Sequence, residues 1–438
     1  MKNSLVSGGK KLLHQSLRKL FSFFPRPIRF ATYRSFVECD PRPDPRLVLK
    51  IAETQEELEA CFKLLHDAYV SSGFMKPDPS GMRVTIYHAL PTTTTLCAKF
   101  DGEVVGTLSL IRESVFGFPL QAIFDLRQVR AKGGKIAEVS ALAVHPKYRK
   151  TGGAILFPLM KFMYEYCTTF FDTRHLVIAV NPNRIEMYES LLFFQRLTET
   201  QVDNYDFANG APAVGASLDL REAPEILKRT YNSKSRHKNL YHYFTKLKLN
   251  NIVLPGRRYF TTNDPVMTPE RLDYFFNQRT QVFAGLDERE RALLQSIYNL
   301  PKYGPYLPVG FADSDPRQAL RQHQRYSLKC GGTFDMEIDG QHEVHQLMIV
   351  ECSEYGFLAH SRTPLTTQVW GDAIIQLGKS ERSSVRALAV GGKKDVGFYG
   401  FKLAEPDLTW RKFVRALQSG STHDDMDNAT RFLNTWSA

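Results

Sequence analysis

Glu138 and Ser140 flank the start of an apolar run, Val139, Ala141, Leu142, Ala143 and Val144, and the loop Arg149-Lys150-Thr151-Gly152-Gly153-Ala154 follows soon after. A carboxylate at the mouth of a strand can take a proton from a nucleophile, directly or through water. Backbone amides around Ala143 and Val144 can donate to an oxyanion if that strand is splayed from its neighbour. The loop offers different chemistry. Small residues that open a helix leave several N–H groups free to hold phosphate oxygens. Arg149 and Lys150 add charge there, while Gly152, Gly153 and Ala154 let a phosphate come up against the backbone. Tyr188 stands on a later helical stretch, RIEMYESLLFF (184–194). Its hydroxyl is either a proton donor or simply a helix residue that meets water, and the sequence weighs the two alike.

The elements that would position these groups alternate as an α/β domain should. Residues 47–52 read as a strand, and residues 54–73 as a helix capped by Thr54 with Glu57 at the box position. Residues 93–113 form a hairpin turning at Asp101-Gly102. The strand EVSALAVHP, the glycine loop and the helical run ILFPLMKFMYEYC follow, then a strand HLVIAVNP (175–182) and the helix with Tyr188. Strands near 204–218 close this region. Residues 221–300 read mainly as helices, with Thr268 and Asp287 as caps. From residue 326 the pattern becomes short strands separated by Gly, Asp and Ser turns, as in a small β-barrel, and residues 406–418 read as a closing helix. The expected divisions are 1–46, an N-terminal segment and linker; 47–220; a helical connection, 221–310; a barrel, 311–420; and a loose tail, 421–438.

At 438 residues the chain has room for two or three domains. It has no apolar run long enough to span a bilayer. Cysteines 39, 61, 97, 167, 330 and 352 are scattered, without a C-x-x-C pair, so free thiols in a reducing cytoplasm are expected and no metal site. The net charge of +11 is uneven. Residues 1–36 carry eight Lys/Arg and no Asp/Glu, and residues 221–260 carry ten Lys/Arg against two Asp/Glu. No nucleic-acid-binding motif accompanies this charge, so a nucleic acid polymer is not an expected partner. An anionic lipid surface or an acidic carrier protein is. Within 1–36, Leu13, Leu17, Leu20, Phe21 and Phe24 recur at helical spacing among Lys10, Lys11, Arg18 and Lys19, and Pro25-Arg26-Pro27 ends the segment. Such a helix either lies in a headgroup layer or docks on the protein itself. A cytoplasmic protein with peripheral contact to the inner membrane is the expectation.

The loop, with Arg149, Gly152 and Ala154 in an R-x-x-G-x-A pattern, resembles the pyrophosphate loop of the GNAT acyltransferases. That family grips a pantetheine-borne thioester between two splayed parallel strands. More of the chain, 47–220, resembles the long-chain N-acyl amino acid synthases, relatives of the acyl-homoserine-lactone synthases that take acyl groups from acyl carrier protein. The segments that carry this are 79–114, 117–144 and NPNRIEMYESLLFF (181–194). The resemblance implies an acyl-phosphopantetheine donor (acyl carrier protein or coenzyme A), an amino acid acceptor and no permanently bound cofactor. It implies Glu138 and Ser140 as the E-x-S catalytic pair, Tyr188 as the acid for the leaving thiolate, and Val144 with Arg149 to Ala154 as the donor cradle. Lactone synthases usually place an arginine after that serine; Ala141 stands here, which favours amide formation. Glu138 is otherwise a strand-end carboxylate paired with Arg127 or Arg130. Arg83 is a forked donor for the acceptor's carboxylate or half of a structural ion pair. Phe116, Phe118, Leu120 and Phe124 are an acyl slot or plain core.

Residues 317–418 resemble a PilZ domain, the bacterial receptor module for cyclic di-GMP. Arg321 and Arg325 match its R-x-x-x-R, and Glu351, Ser353 and Gly356 match its D/N-x-S-x-x-G. Guanidinium groups on a flexible approach can fork onto phosphates and guanine edges. Two departures stand out: Glu351 replaces Asp or Asn, and Arg317 begins a second, overlapping R-x-x-x-R. The expected fold class is a multidomain α+β chain with a GNAT-like α/β domain, a helical extension and a six-stranded PilZ-type barrel. The expected activity is transfer of a long fatty acyl group to the amine of an amino acid under control of cyclic di-GMP. A non-catalytic cyclic di-GMP effector and a coenzyme-A-dependent N-acetyltransferase are the alternatives.

Overall fold

The structure, a computed structural model, describes residues 23–149, 151–205, 207, 210–261, 267–298, 302–308, 325–338, 340–393, 397–419 and 422. Its first large element is an eight-stranded sheet in the order β1-β2-β3-β4-β5-β8-β6, with β7 paired to β8. The strands are β1 Leu47–Ile51, β2 Thr93–Phe100, β3 Glu103–Arg112, β4 Lys135–Val144, β5 Thr173–Val180, β6 Gln195–Arg196, β7 Val202–Tyr205 and β8 Ala211–Asp219. β4 and β5 are parallel; the other pairs are antiparallel. The hairpin β2–β3 turns at Asp101 (φ 51°) and Gly102 (φ 85°), the left-handed pair that a two-residue turn demands.

Helices cover both faces. Gln55–Ser72 starts at a complete Thr54/Glu57 capping box and stops at Gly73 in the left-handed region (φ 76°). It buries Leu58, Cys61 and Phe62 in one cluster. Leu156–Phe170, entered from the glycine loop, buries Leu159, Phe162, Met163 and Tyr166 against the opposite face. Because each face is covered, β3 is buried almost end to end instead of alternating.

The C-terminal strands close a barrel in the order β10-β11-β14-β13-β12-β9. They are β9 Tyr326–Ile338, β10 Gln341–Ser353, β11 Gly356–Ser361, β12 Val369–Gln376, β13 Arg382–Lys393 and β14 Phe398–Leu403. Phe334, Ile349, Ala373, Ile375 and Phe401 fill it, and the helix Leu408–Ser419 plugs it with Trp410 and Phe413. The Trp410 indole N–H donates to the Ser353 and Glu354 carbonyls at 3.2 and 3.1 Å.

Three local expectations are corrected. Pro25-Arg26-Pro27 begins a helix, Arg26–Ser35, because proline suits a first turn that lacks N–H acceptors. The 37–46 stretch is no loose linker: Val37 and Cys39 are buried, and Cys39 N–H donates to the His237 carbonyl at 2.7 Å. Residues 246–261 are not helical. They run alongside β1 through Leu49↔Ile252, pass Pro255-Gly256, and reach the barrel through Tyr259↔Gly378 and Thr261↔Leu328. The amphipathic segment up to Phe21 lies outside the described residues, whereas Phe23 and Phe24 are exposed. All six cysteines are buried, unpaired thiols. Among the described residues no helix is long and apolar enough to cross a membrane.

Candidate active site

The parallel pairing of β4 with β5 runs from Lys135↔Thr173 to Glu138↔Val177 and goes no further. β4 is diverted by a bulge. Ser140 faces Ser109 and Ala143 faces Thr107 on β3, so Ala141 and Leu142 together oppose one residue, and Ala141 takes φ 54°. A non-glycine residue in that region costs roughly 1–3 kcal/mol, a strain held here by the surrounding sheet. β5 meanwhile stays on β8 as far as Val180↔Val214. The two strands part immediately past Glu138, and a cavity of about 220 Å³ fills the wedge.

Glu138, Ser140, Ala141 and Tyr188 all line this cavity. Met160, Met163, Leu108 and Ile178 give it an apolar floor, and Asn181 and Arg184 stand at the start of the Pro182–Leu192 helix. Glu138 is buried and takes one hydrogen bond, from Leu120 N–H to Oε2 at 3.0 Å. Burial pushes its carboxyl up to about 8, against the weaker opposing pull of that donor. Arg127 pairs with Asp125 and Arg130 with Glu113, so neither neutralises Glu138. The carboxyl is therefore mostly protonated at neutral pH and becomes a proton acceptor just above it. Tyr188 packs edge-on against Phe194 at 5.9 Å, and burial pushes its phenol up to about 12, which keeps it a donor.

The loop follows the splayed end of β4. Arg149 Nε donates to the Val144 carbonyl at 2.8 Å, tying the loop to the last residue of β4. Thr151 Oγ1 donates to the Tyr148 carbonyl at 2.8 Å. Gly152 (φ 65°) and Gly153 (φ 93°) are both left-handed. Among the described residues, the amides of Gly152, Gly153, Ile155 and Leu156 have no acceptor, and amides at a helix start can hold phosphate oxygens. Lys150 lies outside the described residues. A Cβ at Gly153 would sit 2.5 Å from the Phe157 ring. Gly153→Val should therefore raise the KM for the acyl donor at least tenfold while the acceptor KM changes little. Unchanged donor kinetics in a folded variant would take this loop out of donor binding.

Other residues singled out from the sequence sit elsewhere. Arg83 is held by the Phe207 carbonyl and lies over the Tyr69 ring at 4.2 Å, behind the aromatic wall of the cavity. Phe118, Leu120 and Phe124 are packed with Val177, Tyr205 and Ala213 as core behind the same wall. Phe116 packs at the edge of a different cluster. On the barrel, Arg325 Nη1 lies 3.3 Å from Glu351 Oε2, and Ser353 Oγ donates to the Gly356 carbonyl at 3.3 Å, so these four residues are together. Arg317 and Arg321 lie outside the described residues. Tyr69, Tyr205 and Phe207 line the cavity without any motif to announce them. Tyr205 and Phe207 leave only an i, i+2 pair of aromatics at the end of β7, and Tyr69 sits on the Gln55–Ser72 helix.

Residues 60–219 match the family model described as N-acyl amino acid synthase FeeM. Among solved structures, the chain is similar to FeeM, an N-acyl amino acid synthase from uncultured soil microbes, with 26% identity and a TM-score of 0.35, over 41% of this chain and 94% of that one. It is also similar to a coenzyme-A-dependent acyl-homoserine lactone synthase, BjaI, with 18% identity and a TM-score of 0.35, over 48% of this chain and 95% of that one. A third similarity is to an N-acetyltransferase from Staphylococcus aureus Mu50, with 17% identity and a TM-score of 0.29, over 40% of this chain and 98% of that one. No curated protein matches the chain. The family match spans the residues that build this cleft, Glu138 and Tyr188 among them, and supports N-acyltransferase activity for residues 60–219.

Proposed function

We propose that this chain is an N-acyl amino acid synthase that moves a long-chain fatty acyl group from acyl carrier protein to the amine of an amino acid, with the barrel sensing cyclic di-GMP. The observation that carries this reading is the wedge between β4 and β5, which opens directly beyond Glu138 onto an apolar cavity. The phosphopantetheine arm enters from the loop, its phosphate on the Gly152 and Gly153 amides, and its thioester carbonyl lies between the strands. Ionised Glu138 takes a proton from the acceptor's ammonium, and the freed amine attacks the carbonyl carbon. The tetrahedral adduct then collapses with loss of the C–S bond; the thiolate takes its proton from Tyr188, and the surplus proton on the amide nitrogen passes to the phenolate so formed, directly or through water. Backbone amides exposed by the bulge at Ala141 are the available donors for the oxyanion.

Carrier protein is favoured over coenzyme A as donor by the charge beside the loop. Gly152 lies against Glu38, whose carboxylate is 3.8 Å from the His237 ring. Exposed Lys234, Arg236 and Lys238 therefore border the entrance, a basic rim suited to an acidic carrier. A competition assay with acyl carrier protein and acyl-coenzyme A at equal concentration tests this; preferential consumption of the coenzyme A thioester would overturn it. Exposed Phe23 and Phe24, continuing the basic segment before them, suit contact with an anionic membrane surface that receives the acylated product.

The barrel is well placed for regulation. Lys329 of β9 is 3.5 Å from Asp172, the residue before β5, and Arg257 donates to the Tyr166 hydroxyl at 2.7 Å beneath the same end of the sheet. A nucleotide that takes Arg325 from Glu351 acts next to the root of the splayed strands. Arg325→Ala should weaken cyclic di-GMP binding at least tenfold by calorimetry, since a hydrogen bond to a charged group contributes about 1.5–3 kcal/mol. Equal acyl transfer with and without saturating nucleotide would remove the regulatory part of the proposal.

A further inference from the structure

The phenol of Tyr205 is the cleft's unexplained polar group. Tyr205 is the last residue of β7, only 3% exposed, and it lines the cavity that holds Glu138. Among the described residues its hydroxyl has no hydrogen-bond partner. Burial, with Glu138, Tyr69 and Tyr87 as neighbours, raises its pKa far above the ordinary phenol range, so the group is a neutral donor at every working pH. A buried donor without an acceptor is destabilising, and apolar phenylalanine would fill the same space without that cost. The surroundings say what kind of acceptor is missing. Arg83 reaches the back of this wall, over Tyr69 at 4.2 Å and Phe207 at 5.2 Å, with its Nη2 donating to the Phe207 carbonyl. Its charge is held within the wall while its own donors do not line the cavity. A negative group entering beside Tyr205 meets a positive field and one unspent O–H.

We infer that Tyr205 is the specificity residue for the acceptor, donating its hydroxyl to the α-carboxylate of the amino acid while the amine of the same molecule faces Glu138. The inference rests on the synthase reading above and names a recognition group within it. A phenol also suits the empty site, because it stays neutral and leaves the Glu138 carboxyl protonated, whereas a guanidinium directly beside Glu138 would hold it ionised.

The test compares Tyr205→Phe with the unaltered chain on two acceptors, an amino acid that the enzyme uses and the amine formed by its decarboxylation. For the amino acid, KM should rise about 10- to 100-fold with kcat within about twofold, the loss expected for a hydrogen bond to a charged group. For the amine, KM should not move. The variant should also melt a few degrees higher, because it sheds an unsatisfied buried donor. Equal changes with both acceptors, or unchanged KM for the amino acid, would overturn the assignment while leaving the synthase reading intact. An unaltered chain that acylates no amino acid would overturn the synthase reading, and this assignment with it.

Discussion

Replacing Glu138 by glutamine should lower acyl transfer by about 10²- to 10⁴-fold, the usual contribution of a positioned general base. The pH profile makes this more than a loss-of-function result. Burial holds the Glu138 carboxyl up to about 8, so only about a tenth of the wild-type enzyme carries the base at pH 7. kcat/KM should therefore climb with pH and level off above 8, and the variant should lack that rise apart from the acceptor amine's own titration. Stability should change in the opposite direction. The folded chain keeps the Glu138 proton where the unfolded chain has already released it. The protonated fold is thus fully favoured below the ordinary carboxylate range, and stability is lost as pH rises from there towards 8. The difference is on the order of 3–5 kcal/mol over that window. Urea midpoints measured from pH 5 to 9 should fall for the wild type and fall less for Glu138→Gln. Parallel curves would mean that the carboxyl is not held neutral in the folded protein.

Tyr188→Phe should give the next largest effect, roughly a 10²-fold loss in kcat with little change in donor KM. The phenol is raised to about 12 by burial, so it remains protonated over the whole working range and imposes no descending limb below that pH. Donors with better thiol leaving groups should recover much of the loss, because a thiolate that leaves readily needs less help from an acid. A loss of equal size for every leaving group would make Tyr188 a packing residue, held by its contact with Phe194.

Much of this arrangement is legible in the chain because its signals are local. Thr54 and Glu57 mark a helix start, Asp101-Gly102 a hairpin, and Gly152-Gly153 a loop whose dihedrals only glycine takes easily. Tight local chemistry of this kind survives folding unchanged. The wedge itself is less legible. Its hinge is Ala141 at φ 54°, and alanine gives no hint of a left-handed position; the sheet imposes it from β3. The burial of Val37 and Cys39 depends on His237, some two hundred residues away, so a Pro- and Asp-rich stretch reads as a linker until the partner is present. Arg83 reads equally as a fork for the acceptor's carboxylate and as half of an ion pair. Its actual partner, the Phe207 carbonyl, belongs to a turn brought in by β7 and β8. Tyr205 was invisible for the same reason.

The most direct test of the account is a single-turnover reaction of the full chain with long-chain acyl carrier protein and a mixture of amino acids at pH 8.5, read by mass spectrometry of the small-molecule fraction. An acyl amide is expected, heavier than one acceptor by the acyl group less one hydrogen, formed as the carrier thioester disappears and strongly reduced in Glu138→Gln. Free fatty acid alone, or equal amide yield from the variant, would contradict it.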